Sequence, residues 1–323
     1  MISFAAAFSV AHSTIAILGM TFNVLLIYLA LCKSPKAIHS YATLIVNFAV
    51  TDFCACLFDF FVQQRIIPAG RTLAYISSGM CEWAGTVTCY TLYSLMLHFL
   101  AHTLWSLLLS FSYRYYILFK PSPSRKTLLL ILLIIYQPSM IQWVSFLYAQ
   151  SDPQEIVEIL RDRFPEYNTT GLCVYGTKDI GTFAALYTIF HMTVPITPVY
   201  ICILILRRKI IKKLSFQNVN IAKDTKNLHT QFLISLTYQA ALPGFFFFSI
   251  VSYALGQLSI VNSPVLEYFT SSGFLLIPFF SPLASFIFVS PYRNFIRKTV
   301  FRVAPDDSSA TPNQIVTSIH MLG

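Results

Sequence analysis

The chain has 323 residues, of which 56% are hydrophobic and only 11% charged, and it carries a formal net charge of +9. About a quarter of the residues in a soluble domain are charged, so an ordinary soluble domain is excluded, and the mean hydropathy of +0.64 identifies a membrane protein. The surplus of base does not point to nucleic acid, because it is dealt out between apolar runs rather than gathered on one soluble face.

Apolar runs of about 20 residues, the length that crosses about 30 Å of hydrocarbon, occur at about 8–31, 41–63, 86–112, 127–149, 180–206, 228–254 and 264–289. The expected fold is an all-α membrane protein, a seven-transmembrane helix bundle spanning residues 1–303 as a single domain. Residues 304–323 read as a polar, disordered tail. The first run lacks a basic leader and a small-residue cleavage site, so it is expected to remain as a signal anchor. Lysine and arginine number 2 between runs one and two, 4 over 114–126, 7 over 207–226 and 4 after run seven. Arg65, Arg71, Arg161, Arg163 and Lys178 make up the other side. By the positive-inside rule the amino terminus lies outside and the carboxyl terminus in the cytoplasm. The sequon Asn168-Thr169-Thr170 then falls outside, as a glycosylation site must.

Run one carries Gly19 and Asn23 and ends in the turn Lys33-Ser34-Pro35-Lys36. Run two carries Asn47, Asp52 and Asp59. Asp52 falls near mid-membrane, where a carboxylate costs several kcal/mol unless hydrated, paired or protonated. It reads either as part of a buried polar knot with Asn23 and Asn47 or as a cation or proton site. Asp59 follows seven residues later, within about 20° of the same face and about 10 Å along the axis. Both acids therefore stack toward the interior, with a hydrated rim position as the alternative for Asp59.

In run three, Cys89, Tyr93, Met96, Leu100, Thr103, Leu107 and Ser110 share the face of Arg114 to within about 60°. Arg114 is either a snorkelling anchor or a functional charge. His98 and His102 point elsewhere; their i, i+4 spacing suits a metal, but no third ligand is in view, so packing against a neighbouring helix is expected. Run four holds Pro138 beside Gln137 and Gln142, and the loop 150–179 after it has six acids against three bases. Run five holds His191, Pro195 and Pro198 and is followed by Arg207-Arg208-Lys209-Ile210-Ile211-Lys212-Lys213. Run six holds Pro243-Gly244 and Phe245 to Phe248; run seven holds Glu267, Pro278 and Ser281-Pro282. The prolines mark kinks. Beyond run seven, Tyr292, Phe295, Ile296, Val300 and Val303 interleave with Arg293, Arg297, Lys298 and Arg302, the pattern of a short amphipathic helix lying on an anionic cytoplasmic leaflet.

Of seven cysteines, Cys81, Cys89 and Cys173 face the oxidising side. A bridge from Cys89 or Cys81 to Cys173 would pin the long outer loop over the bundle. No nucleophile elbow, zinc-protease motif or phosphate loop occurs, and Asp52 and Asp59 share one helix rather than facing each other, so no enzyme and no cofactor is expected.

Seven runs, an aspartate in run two, an arginine at the inner end of run three and prolines in runs five to seven resemble a rhodopsin-like G-protein-coupled receptor. The spacing agrees: Asn23 precedes Asp52 by 29, Asn47 precedes it by five, and Cys89 precedes Arg114 by 25. More closely, Lys33-Ser34-Pro35-Lys36, Gln64-Arg65-Ile66-Ile67-Pro68, the segment Tyr93 to His98 and Ser112-Tyr113-Arg114-Tyr115-Tyr116 are similar to nematode chemoreceptors of the serpentine receptor class delta. The resemblance implies a plasma-membrane receptor of sensory neurons for a small external ligand, coupled to a heterotrimeric G protein. It implies a ligand pocket of Asp59, Tyr93, Met96, Leu100, His191, Phe248 and Glu267, and a conformational core of Asn23, Asn47, Asp52, Pro243 and Pro282. Coupling would fall to Arg114, Tyr113, Tyr115, Arg207, Arg208 and Lys212, and the disulfide to Cys89 and Cys173. Two departures stand out: Tyr113 replaces the usual acid beside the arginine, and Ser281-Pro282-Leu283-Ala284-Ser285 replaces the usual motif of run seven. A transporter or ligand-gated channel is the rival reading; it predicts repeated halves and a charged pathway, and neither is visible.

Overall fold

A computed structural model describes residues 4–34, 39–216, 223–261, 263–299 and 302. The expected disordered tail 304–323, with Val300 and Val303, lies outside the described residues. Seven helices are long and apolar enough to cross a membrane. They are α1 (Phe4–Cys32), α2 (His39–Val62), α3 (Thr86–Tyr116), α4 (Arg125–Leu147), a fifth span, a sixth span and α10 (Pro264–Phe288). The fifth span is α6 (Phe183–Thr193) followed by α7 (Ile196–Phe216), and the sixth is α8 (Lys223–Ala241) followed by α9 (Gly244–Gln257). Both breaks fall where Pro195 and Pro243 have no backbone N–H to donate. Pro138, Pro278 and Pro282 sit inside α4 and α10 without ending them. The basic run Arg207 to Lys213 is helical, on the last turns of α7. A short amphipathic helix, α11 (Ser290–Thr299), follows α10 and buries Tyr292.

One end of the bundle carries a feature the apolar runs do not reveal. Strands β1 (Gln64–Ala69), β2 (Thr72–Ser77) and β3 (Cys173–Thr177) form an antiparallel sheet in the order β1-β2-β3. Gly70 turns the first hairpin at φ +69°, a left-handed conformation that favours glycine. Pro68 is tolerated because β1 is an edge strand. The strand period of two divides the side chains. Ile66, Tyr75 and Tyr175 face the bundle, with Tyr90, Tyr93 and Phe146, whereas Ile67, Ala74, Ile76 and Val174 pack beneath Ile156 and Leu160 of α5 (Pro153–Arg163). Asp152 caps α5 by accepting from the Gln154 N–H at 2.9 Å. The bundle end is thus roofed by two layers, a sheet and a helix.

The core runs along α3, which packs against α2, α4 and α7, while α10 packs against α1, α2, α8 and α9. A Cβ at Gly273 would collide with the Ser249 hydroxyl and lie 2.9 Å from the Phe245 carbonyl oxygen, so this glycine sets how closely α9 approaches α10.

Candidate functional site

Beneath the sheet, a cavity of about 120 Å³ lies between α3, α6, α9 and α10. Its roof is Ile66, Leu73 and Tyr75, and its walls include Tyr93, Leu97, Met192, Phe246 and Phe274. A second cavity of about 50 Å³ shares Met192 and Phe246 and continues toward Leu100, His191, Gln239 and Pro243. An apolar cavity of roughly 150 Å³ holds a molecule the size of benzene without water. The larger cavity is therefore of the size and chemistry for one small neutral molecule.

Of the residues expected to line a pocket, Tyr93 lines the larger cavity and Leu100 and His191 the smaller. Met96 is buried in the core and lines neither. Phe248 is 59% exposed on the outer surface of α9, a correction to its expected place; Phe246, two residues earlier and so on the other side of the helix, is the inward ring.

The two acids are also corrected, because each has a partner within the protein and neither lines either of these two cavities. Asp59 Oδ2 is 3.1 Å from His12 Nδ1, and His12 Nε2 is 3.1 Å from Ser272 Oγ. The order acid, imidazole, hydroxyl is that of a hydrolase triad, but the Ser272 hydroxyl donates to the Tyr268 carbonyl at 3.1 Å and none of the three lines either of the two cavities described. Glu267 accepts from Arg65 at 2.5 Å and from the Tyr167 hydroxyl at 2.8 Å, and the Arg65 guanidinium lies 4.6 Å from the Tyr167 ring centroid. Burial and the hydrogen bond to Glu267 push the Tyr167 phenol up to about 12. Charge at this end is thus consumed internally.

The residues of the expected conformational core do not bond one another among the described residues. Asn23 donates to the carbonyls of Gly19 and Pro278 at 2.9 and 3.1 Å. Asn47 donates to Ser106 at 2.8 Å, and Asp52 accepts from Thr103 at 3.3 Å. Three polar groups on α1 and α2 therefore reach α10 and α3 separately, Asp52 meeting Ser281 of α10 as well as Thr103 of α3, so the knot, one of the two expected readings, becomes a spread of interhelical bonds. Pro243 occupies the break between α8 and α9, and Pro282 is buried in α10. His98 and His102 pack on α4: the His102 ring stacks 3.5 Å from the Tyr136 centroid, and Ser106 lies 2.9 Å from His102 Nε2. Among the described residues no group of three metal-ligating side chains occurs.

At the opposite end, near α11, Arg114 is 2% exposed. Its guanidinium lies 3.7 Å from the ring centroid of Tyr41 on α2 and 4.5 Å from that of Phe232 on α8. Tyr113, where an acid was the family expectation, stacks on Tyr41 at 5.7 Å and meets the Ser122 hydroxyl at 3.0 Å. Aromatic rings stand where an ion pair would be. Tyr115 is half-buried below Lys209, 5.8 Å from its ring, Arg207 donates to Thr237 at 3.3 Å, and Arg208 and Lys212 are exposed. The Lys33 ammonium lies 5.0 Å from the Phe295 ring of α11.

The disulfide is a further correction. Cys89 is bonded to Cys81, not to Cys173. A 3-10 helix, Met80–Ala84, and Gly85 at φ +91° fold the chain back on the start of α3, bringing the Cα atoms of Cys81 and Cys89 to 5.1 Å. Cys173, on the first residue of β3, has its Sγ 3.7 Å from that of Cys89; burial, then the charge of Glu82, raises its thiol pKa. Asn168 is exposed at the sheet end, where its side chain accepts from the Thr170 N–H at 3.0 Å.

His12, Tyr41 and Phe232 escaped the sequence reading, as did the pairing of Arg65 with Glu267. A histidine within an apolar first run is a signal that a buried partner exists; nothing in the sequence marks the two rings.

A family model described as serpentine type 7TM GPCR chemoreceptor Srd matches residues 8–298. Serpentine receptor class delta-18 of Caenorhabditis elegans is 43% identical over 298 residues, covering 91% of this chain and 88% of the relative. Serpentine receptor class delta-19 of the same organism is 41% identical with the same coverage. The crystal structure of squid rhodopsin superimposes with a TM-score of 0.66 at 14% identity, covering 97% of this chain and 86% of that one; at that identity it shows the fold.

Proposed function

The chain belongs to the Srd family of serpentine seven-helix chemoreceptors, and from that premise we propose that it binds a small neutral molecule beneath the sheet and signals through a heterotrimeric G protein at the α11 end. The sheet end faces outside, with Asn168 glycosylated, and the α11 end faces the cytoplasm of a sensory cell's plasma membrane, where the cations of α11 meet anionic lipid.

One observation carries the reading: α3 lines an apolar cavity at Tyr93 and ends at a caged arginine, Arg114. Ligand in the cavities touches Gln239 of α8 and Phe246 of α9, on either side of the break at Pro243. A ligand that favours a different angle at that break favours withdrawal of Phe232, on α8, from Arg114. It acts by binding the two arrangements unequally. The freed Arg114, with Tyr113, Tyr115, Arg207, Arg208 and Lys212, then meets the G protein.

The test is a panel of small neutral volatiles on cells expressing the chain with a promiscuous G protein. Arg114→Ala, at equal surface expression, abolishes the response; an intact response would overturn the coupling role.

A further inference from the structure

We propose that the cavity fills sideways from the bilayer, through a gap between the sheet-end halves of spans five and six, with a neutral apolar molecule that has first partitioned into lipid. The proposal rests on reading that cavity as the ligand site.

The direct route from water is shut. Ile66, Leu73 and Tyr75 close the top of the cavity, and α5 covers the other face of the sheet. The roof is fastened at its rim: Arg65 and Tyr167 hold Glu267 of α10, Gln257 of α9 donates to the Gly70 carbonyl, and Arg163 donates to Ser259 at 3.2 Å. A molecule arriving from above must force apart a packed sheet and helix and break a buried ion pair.

The side is different. α6 packs on α4, and α7 on α3 and α8, but α6 and α9 scarcely touch. Ile189 and Thr193 of α6 and Ile250 of α9 nevertheless border the same cavity. All three are half-buried, and their neighbours Phe190 and Phe247 are 58% and 64% exposed. The gap is therefore rimmed by side chains that look both into the cavity and out toward lipid. Pro195 and Pro243 interrupt the two helices nearby, so neither is braced by continuous hydrogen bonding across the gap.

The chemistry of the lining selects the traveller. The hydroxyls of Thr188, Thr193, Ser249 and Thr270 each donate to a carbonyl four residues back, at 3.1, 2.7, 3.4 and 2.9 Å. They are spent as donors, the phenols of Tyr75, Tyr93 and Tyr253 remain as polar groups, and no charged side chain among the described residues lines the cavity, so the walls offer little to a charged group and much to an apolar one. An ionised ligand would shed its hydration on entering the bilayer and find no charged partner among the described residues of the cavity to replace it.

The test uses the full chain in phosphatidylcholine vesicles with phenyldiazirine as the neutral probe and its carboxylate derivative as the charged one. The probe is mixed in, flashed after a varied delay, and adducts are mapped by mass spectrometry. Phe274 reports the cavity and Phe247 the lipid-facing surface. Phenyldiazirine labels both and the carboxylate labels Phe274 at least tenfold less. Thr193→Trp lengthens the delay needed to label Phe274 at least tenfold without touching Phe247, and Arg65→Ala leaves that delay within twofold. Equal labelling of Phe274 by the carboxylate, no adduct at Phe274 when Phe247 is labelled, or a Thr193→Trp delay equal to the parent's each overturns the proposal. So does a Thr193→Trp loss that long incubation never recovers, since residue 193 would then fill the cavity rather than its mouth. Labelling needs no G protein, so the route can fail in a chain that signals, and signalling can fail in a chain that labels as expected.

Discussion

The two ends of the bundle solve the same problem, a cation held out of water, by different means. At the sheet end Arg65 has a carboxylate 2.5 Å away and a tyrosine sharing it; at the α11 end Arg114 lies against the faces of Tyr41 and Phe232. A buried ion pair needs both members, because removing one leaves the other charged, desolvated and alone. An aromatic face asks less: any ring of similar size supplies the quadrupole, and the attraction is about 2 kcal/mol when desolvated. The first arrangement suits a roof that stays shut. The second suits a contact that must be made and released.

The largest effect expected from that contrast is at the roof. Glu267→Ala strands Arg65, 14% exposed, and costs about 3–5 kcal/mol, read as a lowered melting temperature of the purified protein. Restoring charge complementarity with Arg65→Glu and Glu267→Arg together recovers some of the loss; no recovery would show that shape rather than charge holds the roof. Next comes the ring cage. Phe232→Leu keeps apolar bulk but removes the face over Arg114, shifting the balance of states by about 1–2 kcal/mol, or roughly 5- to 30-fold in ligand-independent nucleotide exchange. Tyr41→Phe keeps the face but removes the hydroxyl's hydrogen bond with the guanidinium, so that exchange rises less, about two- to fivefold. A rise as large as that of Phe232→Leu would mean that the tyrosine hydroxyl, not its ring, holds Arg114.

Smaller effects separate burial from exposure at the sheet end. Tyr167→Phe removes a half-buried hydrogen bond to Glu267, about 1 kcal/mol after allowing for solvent. The folded phenol, pushed up to about 12, lies above the ordinary value near 10. Its stabilisation is therefore complete below about pH 10 and is lost as pH rises through about 12; ultraviolet titration of parent against Tyr167→Phe reads it. The smallest effect belongs to Asp179, whose pKa is lowered by the Gly181 N–H and then by Arg71. A depressed carboxylate stabilises above its ordinary value of about 3.9 and loses that contribution as pH falls through the folded one. Protection of the Gly181 amide against hydrogen exchange should fade over that acidic range; an unchanged amide would mean the turn holds without the carboxylate.

The membrane-length helices were legible because lipid leaves a spanning backbone no choice but to bond within its own segment, and run length alone reports that. The breaks at Pro195 and Pro243 were legible for the same local reason. Facing arithmetic on α3 placed Tyr93 and Leu100 inward, where they line the cavities. No such arithmetic was possible at Phe248, because four consecutive phenylalanines carry no period from which to choose a face. The sheet was hidden because its strands are five or six residues long and one of them lies about a hundred positions from the others. The same distance hid the partners of the acids: Glu267 finds Arg65 at a separation of 202 residues, and Asp59 finds His12 at 47. The short bridge from Cys81 to Cys89 is legible only once Gly85 is known to reverse the chain.

The sheet also imposes an order on synthesis. The β1–β2 hairpin is complete within fourteen residues, from Gln64 to Ser77, so it can close as soon as these residues have followed span two out of the ribosome. Its third strand, Cys173–Thr177, is translated only after spans three and four. Until then the Leu73 to Ser77 edge of β2 stands open, with backbone donors and acceptors that only β3 will fill. A pause or a defect in inserting span four therefore leaves an unpaired strand edge for chaperones to guard, and faults in β3 belong among those that a cell meets as failed export rather than as failed binding.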